Sequence, residues 1–184
     1  MIVVANTKRV ILGVTGSIAA YKSAEIIRRL IESKIRVSVV MTQEARHFIT
    51  PLTLSALSGE KVHLDLFDGD GQAASMPHIE LAREAGLILI APATANIIGK
   101  IAHGIADDLL TCIVLATKAP LVIAPAMNTE MYQNKIVQDN CAKLKALGMK
   151  FIDPAKGKLA CGTTGEGHIA DENVIIQRVL EILK

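Results

Sequence analysis

Leu121-Val-Ile-Ala-Pro-Ala-Met-Asn-Thr-Glu-Met-Tyr132 decides how this chain folds. The run at 121–124 is wholly apolar and short, as suits a strand buried on both faces. Pro125 stops it, because proline has no N–H to give a sheet ladder. Asn128 follows at once, and Thr129 is placed to cap a helix expected to run on toward Leu147. A side-chain amide and backbone N–H groups are therefore expected at the carboxyl end of a central strand. In open α/β sheets that edge is where ligands bind.

The same alternation extends outward in both directions. Arg9–Val14 reads as a first strand, 15–32 as a helix with Ile18, Ile26, Ile27, Leu30 and Ile31 near helical period and Ser17 as its cap, and Arg36–Met41 as a second strand. That is a βαβ unit with a right-handed crossover. Thr42 ends the second strand, a helical segment follows near 45–49, and Pro51 opens another helix through Ser58. A helix at HIELAREA leads to a third strand, 87–90, which ends before Pro92. Helices at 93–103 and 107–117 are separated by Gly104, a last short strand is expected at 149–152, and a closing amphipathic helix at 173–183. Residues 59–77, with Asp65, Asp68, Gly69, Asp70 and Gly71, read as a loop holding at most a short strand at 62–64, and 153–171 reads as irregular. Strands alternating with helices give one domain over residues 1–184: an α/β fold with a single doubly wound, flavodoxin-like or Rossmann-like parallel sheet flanked by helices.

Composition narrows the function classes. With 184 residues, 51% hydrophobic and 21% charged, the chain has enough apolar material for one full core. Aromatics are only 3%, so packing must rest on aliphatic side chains, as between parallel strands and close helices. A net charge of +2 with no Lys/Arg block argues against nucleic acid or an anionic membrane surface as partner. No segment approaches the roughly 20 apolar residues that span a bilayer, and MIVVANTKRV lacks the pattern of a signal peptide. Cys112, Cys141 and Cys161 are odd in number and form no CxxC, which points to reduced thiols in a cytoplasmic protein. No pair among the five histidines has metal-ligand spacing, so no metal site is expected.

The first strand–helix turn is Gly13-Val-Thr-Gly-Ser17, a G-x-x-G-S turn and not the G-x-G-x-x-G dinucleotide fingerprint, and no acidic residue ends the second strand to grip a ribose. Gly16, Ser17 and Ile18 at a helix start, with the Thr42 hydroxyl, suit a phosphate and favour a mononucleotide such as FMN over NAD. In Pro92-Ala-Thr-Ala-Asn-Ile97 small residues at a strand end let a flat ring approach the backbone, while Thr94 and Asn96 supply polar contacts. Gly157-Lys-Leu-Ala-Cys-Gly-Thr-Thr-Gly-Glu-Gly-His-Ile169 places Cys161 among glycines, as on a flap that closes over substrate. His47, His63, His103 and His168 read as ordinary histidines, and His78 as a helix-start residue.

Taken together, GSIAAYK, PHIELA, PATAN, PAMNTEMY and GTTGEG resemble, in order and spacing, the motifs of the flavin-dependent cysteine decarboxylases, the family of phosphopantothenoylcysteine decarboxylase. GIADDLLT at 104–111 continues the likeness, which covers residues 9 to about 170. Ile97 stands where the family usually has Thr, and Tyr132 where it usually has Trp.

The resemblance implies FMN held by Gly16, Ser17, Ile18, Thr42, Thr94, Ala95, Asn96, Ile97 and Ala126. It implies substrate carboxylate binding by Asn128 with Met127 and Ala126, His78 as acid/base, and Cys161 as the proton donor of the reductive step. The expected reaction converts 4′-phosphopantothenoylcysteine to 4′-phosphopantetheine in coenzyme A biosynthesis. The cysteine end is first oxidised to a thioaldehyde, CO₂ is lost to give an ene-thiolate, and the electrons are returned. Homotrimers or homododecamers with FMN near the subunit interface are implied, as is a phosphopantothenate–cysteine ligase, fused or separate. The chain reads either as a stand-alone enzyme or as the excised N-terminal part of a bifunctional one. Two alternatives stay in view: a peptidyl-cysteine oxidative decarboxylase, which lacks the clamp cysteine, and a non-catalytic flavin-binding regulatory subunit, whose fungal representatives carry long acidic tails. A plain electron carrier is disfavoured by the +2 charge, and the SMKT-like segment of the flavin prenyltransferases has no counterpart here.

Overall fold

The fold is built from the alternation that the sequence displays, and the computed structural model describes it over residues 8–66, 76–158 and 164–184. Strands β1 (Arg9–Val14), β2 (Arg36–Met41), β3 (Leu87–Ala93), β4 (Leu121–Pro125) and β5 (Lys150–Phe151) form one sheet in the order β2-β1-β3-β4-β5. Every pairing in it is parallel, and the order is the flavodoxin-like one, with its switch point between β1 and β3.

Side-chain alternation along each strand divides the core into two layers. Val10, Leu12 and Val14 of β1 join Ile26, Ile27 and Leu30 of α1 (Ser23–Glu32), Leu54 of α2 (Pro51–Ser58) and Ile175 and Val179 of α8 (Glu172–Ile182). Ile11 faces the other way, with Leu81 of α3 (Pro77–Glu84), Ile97 and Ile101 of α4 (Ala95–His103), Leu110 and Ile113 of α5 (Leu109–Ala116) and Leu144 of α7 (Lys135–Ala146). Gly13 also belongs to the second face. A Cβ there would stand 2.7 Å from a δ-carbon of Leu110, so the glycine lets α5 approach the sheet.

Several expectations need correction. The 15–32 helix is a 3₁₀ turn, Ile18–Lys22, followed by α1, and the segment near 45–49 is a second 3₁₀ turn, Gln43–His47. β4 ends at Pro125 as expected, but β3 does not stop before Pro92: it runs to Ala93, which pairs with Pro125 beyond an irregularity in register, and the Ala91–Pro92 peptide is cis. Thr129 does not cap the helix after β4. The cap is Asn128, in extended backbone conformation, whose side-chain oxygen accepts from the Glu130 and Met131 amides at 2.8 and 3.4 Å. That helix is also short. α6 (Thr129–Gln133) ends at Asn134, whose own side chain accepts from Ile136 N–H to start α7.

Within 153–171 the described residues are not all irregular: β6 (Ala155–Lys158) and β7 (Thr164–His168) form an antiparallel pair outside the main sheet. At 62–64 the chain makes a single parallel bridge, Val40 with His63, against β2. Asp68, Gly69, Asp70 and Gly71 of the acidic loop lie outside the described residues. No helix among the described residues is long and apolar enough to cross a membrane.

Candidate active site

At the carboxyl edge of the sheet a cavity of about 560 Å³ opens between the β1–α1 turn, the β3–α4 turn, the β4–α6 turn and β7. Each turn is held by a local device that the sequence encodes. Thr15 Oγ1 is buried, donates to the Pro92 carbonyl at 2.7 Å and accepts from Thr94 N–H at 3.1 Å, which ties the first turn to the second. Ser17 caps the first turn by accepting from Ala19 N–H at 3.3 Å, and Thr94 caps α4 by accepting from Ile97 N–H at 3.3 Å. Ala126 N–H donates to Ala93 O and Met127 N–H to Gly167 O, which fixes the third turn between β3 and β7.

Gly16 is there for space: a Cβ would lie 2.4 Å from the Glu44 Cβ. Two glycines of β7 serve the same purpose against the β4–α6 turn. A Cβ on Gly165 would meet Thr129 Oγ1 at 2.4 Å, and one on Gly167 would meet the Met127 carbonyl at 2.2 Å.

Gly16, Ser17, Ile18, Thr42, Thr94 and Ala95 line this one cavity, and so do Asn96, Ile97, Ala126, Met127 and Asn128. The cavity also takes in residues that motif reading passed over: Thr15, Tyr21, Lys22, Glu44, Met131 and His168. His168 was read as an ordinary histidine; it stands in the cavity wall because the hairpin of β6 and β7 brings it there. Lys22 is ion-paired with Glu172 at 3.0 Å, linking the first turn to the start of α8. Glu44 and His168 are brought here by long-range pairing, which no local pattern signals, whereas Thr15, Tyr21, Lys22 and Met131 lie within the turn and motif stretches quoted above.

One polar atom of the cavity wall is left over. The Thr42 hydroxyl oxygen is fully buried and has no hydrogen-bond partner among the described residues. A buried hydroxyl without a partner costs free energy unless something completes it. With the capped turn at Ser17 beside it, the arrangement suits an anion held by a hydroxyl and backbone amides. The small residues Ala95 and Ala126 leave the wall between them open to a flat ring.

His78 is elsewhere. It lies in the first turn of α3, partly buried, and is not among the residues lining the cavity. Its Nδ1 is buried with no hydrogen-bond partner among the described residues. Cys161 lies outside the described residues, between the paired ends of β6 and β7 at Lys158 and Thr164. Tyr132 sits on α6 away from the cavity lining, and burial pushes its phenol up from the ordinary range. Among the described residues no group of acidic, histidine or cysteine side chains could hold a metal ion. Cys112 and Cys141 are free thiols on α5 and α7, and burial raises both above the usual thiol range.

Similar proteins are known both by sequence and by structure. The Flavoprotein family matches residues 4–184. The coenzyme A biosynthesis bifunctional protein CoaBC of Vibrio parahaemolyticus is 50% identical over 164 residues, which are 89% of this chain and 41% of that protein. The chain thus spans about two-fifths of the length of such relatives. The probable phosphopantothenoylcysteine decarboxylase of Streptococcus mutans is 45% identical over 179 residues, covering 96% of this chain and 99% of its own. Among solved structures, a cysteine-to-serine mutant of a PPC decarboxylase complexed with pantothenoylaminoethenethiol superposes with a TM-score of 0.84 at 35% identity, covering 95% of this chain and 97% of that one. The FMN-dependent cysteine decarboxylase SpaF does so with a TM-score of 0.83 at 32% identity, covering 98% and 100%. A sheet in flavodoxin order, a cavity at its carboxyl edge and a match over nearly the whole chain make this protein a member of the Flavoprotein family.

Proposed function

We propose that this chain is an FMN-dependent decarboxylase that converts 4′-phosphopantothenoylcysteine to 4′-phosphopantetheine, with residues 1–184 forming one catalytic domain. One observation carries the reading: every described residue expected to touch cofactor or substrate carboxylate lines a single cavity, His78 alone excepted. The residues present fit FMN, since the unpartnered Thr42 hydroxyl and the Ser17 turn can take its phosphate and the Thr94–Ile97 wall its ring.

When bound, FMN supplies reversible two-electron chemistry, the electron sink that an ordinary cysteine lacks for losing CO₂. The protein does the rest. Asn128, pinned by its cap to α6, presents a fixed carboxamide beside Met127 and Ala126 to orient the substrate carboxylate. His78 moves the proton at the oxidation and decarboxylation stage, and Cys161 protonates the ene-thiol before product leaves.

His78 lies off the cavity of its own chain, and its Nδ1 has no partner among the described residues. The reading therefore includes a homo-oligomer, a trimer or dodecamer, in which the His78 of one copy completes the cavity of the next. Exposed apolar side chains on or beside α3 and α5, namely Met76, Ile105 and Leu115, support a covered face there. The enzyme works in the cytoplasm on a small-molecule substrate supplied by a ligase that joins cysteine to phosphopantothenate, fused to this domain or separate.

The test follows product masses with FMN-loaded protein. Wild type is expected to release a product lighter by about 44 mass units and Cys161→Ser one lighter by about 46, the masses of CO₂ and of CO₂ plus two hydrogens. A wild type that stops at the oxidised product makes the chain a peptidyl-cysteine type decarboxylase. Absence of both flavin binding and turnover makes it a non-catalytic subunit.

A further inference from the structure

His168 ends β7 at a place where the hairpin loses its regular register. Lys158 pairs with Thr164, Gly157 with Gly165 and Lys156 with Glu166, after which Ala155 pairs with His168. Gly167 is therefore an extra residue, a bulge, with a φ of 140° that glycine adopts without a side-chain penalty. In an unbulged strand residues 166 and 168 would share a face. Glu166 points outward, ion-paired with Lys156 at 3.1 Å. The bulge re-aims His168 into the wall of the cavity, which Lys22 and Ile169 also line.

The ring is also oriented. His168 Nδ1 lies 3.1 Å from the Ile169 carbonyl, which can only accept, so Nδ1 carries a hydrogen, and Nε2 is the nitrogen left to meet a ligand, accepting in the neutral ring and donating to an anion in the doubly protonated one. The strand end that carries it is locked to the Asn128 turn, because Met127 N–H donates to the Gly167 carbonyl at 3.0 Å. Lys22, the other basic side chain lining the cavity, is already engaged by Glu172.

We propose that His168 is a substrate-binding, specificity-determining residue: as the imidazolium, donating from Nε2–H, it binds an anionic oxygen of the substrate, its carboxylate or its phosphate. The inference rests on the decarboxylase reading and adds to it a contact that no motif supplied.

The test is steady-state kinetics of FMN-loaded wild type, His168→Ala and His168→Gln, with 4′-phosphopantothenoylcysteine and with pantothenoylcysteine. His168→Ala is expected to raise KM about tenfold or more with kcat changed far less, as loss of one hydrogen bond to a charged group implies. His168→Gln, which keeps a donor, is expected to recover most of the loss. FMN affinity and Tm should stay at wild-type values, and Glu166→Gln on the outer face should leave KM unchanged. A rise in KM confined to the phosphorylated substrate identifies the phosphate as the partner; an equal rise for both identifies the carboxylate. An active wild type with unaltered KM in His168→Ala overturns the inference alone, as does a weakening of FMN binding that accounts for the whole effect. A wild type that binds FMN but turns over neither substrate overturns the decarboxylase reading and this inference with it.

Discussion

The Thr42 hydroxyl is buried without a partner among the described residues, an arrangement that costs free energy until something completes it, and under the proposed function the FMN phosphate would do so. Thr42→Val should therefore separate two quantities that usually move together. Thermal unfolding of the FMN-free variant is expected at or above the wild-type temperature, while the Kd for FMN, read by flavin fluorescence, rises about tenfold for a lost bond to phosphate. Asn128 permits a similar separation. Asn128→Asp keeps an acceptor for the Glu130 and Met131 amides, so α6 should start where it does now. The new charge faces the site assigned to the substrate carboxylate, and kcat/KM should fall about 1,000-fold or more, to the edge of detection, with Tm unchanged. At this scale the sequence is legible where a residue acts through its immediate neighbours. Ser17 and Thr94 are caps at positions that a strand–turn–helix pattern marks. Asn128 and Thr129 are both good caps one residue apart, and only the backbone conformation at 128 decides between them. His168 is illegible for another reason: its direction depends on a bulge, a property of two paired strands and of neither alone.

Among the elements, α5 shows how much a single cap can hold. Asp108 accepts from Thr111 N–H at 2.8 Å, Thr111 Oγ1 accepts in return from Asp108 N–H, and Lys100 reaches the same carboxylate at 3.0 Å. Burial alone would push the Asp108 carboxyl up, but the Thr111 and Lys100 contacts outweigh it and hold it below the ordinary range. A depressed carboxyl stabilises the fold above its unfolded-state value and loses that contribution as pH falls through the folded one. Asp108→Ala should thus cost about 1 to 2 kcal/mol near neutrality in urea unfolding, and its gap from wild type should narrow below about pH 4. Gly13→Ala tests the other support of α5. Its Cβ would press on Leu110, and a cost of about 1 to 3 kcal/mol is expected for an overpacked contact. The main strands are legible as apolar runs, and α5 by the Gly104 break before it, whereas its Asp108 cap is not singled out by the pattern. The hairpin of β6 and β7 is not legible, because AKGK and TGEGH carry no apolar alternation. Their pairing is held by cross-strand bonds and by two glycines that fit against Thr129 and Met127.

For the molecule as a whole, the separation of His78 from the cavity has a consequence that mixing can test. His78→Asn and Asn128→Asp chains, each inactive alone, should regain measurable decarboxylation when co-expressed and isolated as mixed oligomers, since some cavities would then draw both intact residues from different copies. If both residues act within one chain, the mixture stays inactive. The way such an oligomer can grow is restricted by the ends of the sheet. On one side β2 is already covered: Met41 N–H donates to the His63 carbonyl, and His63 N–H to Val39 O. On the other side β5 is only Lys150–Phe151, with the Lys145 ammonium 5.3 Å from the Phe151 ring centre. A short strand shadowed by a lysine is a poor template for another chain. With both borders of the main sheet ill-suited to strand addition, copies of this protein would meet through their helices, their loops or the β6–β7 hairpin, and the five-stranded sheet would keep the same width in every copy.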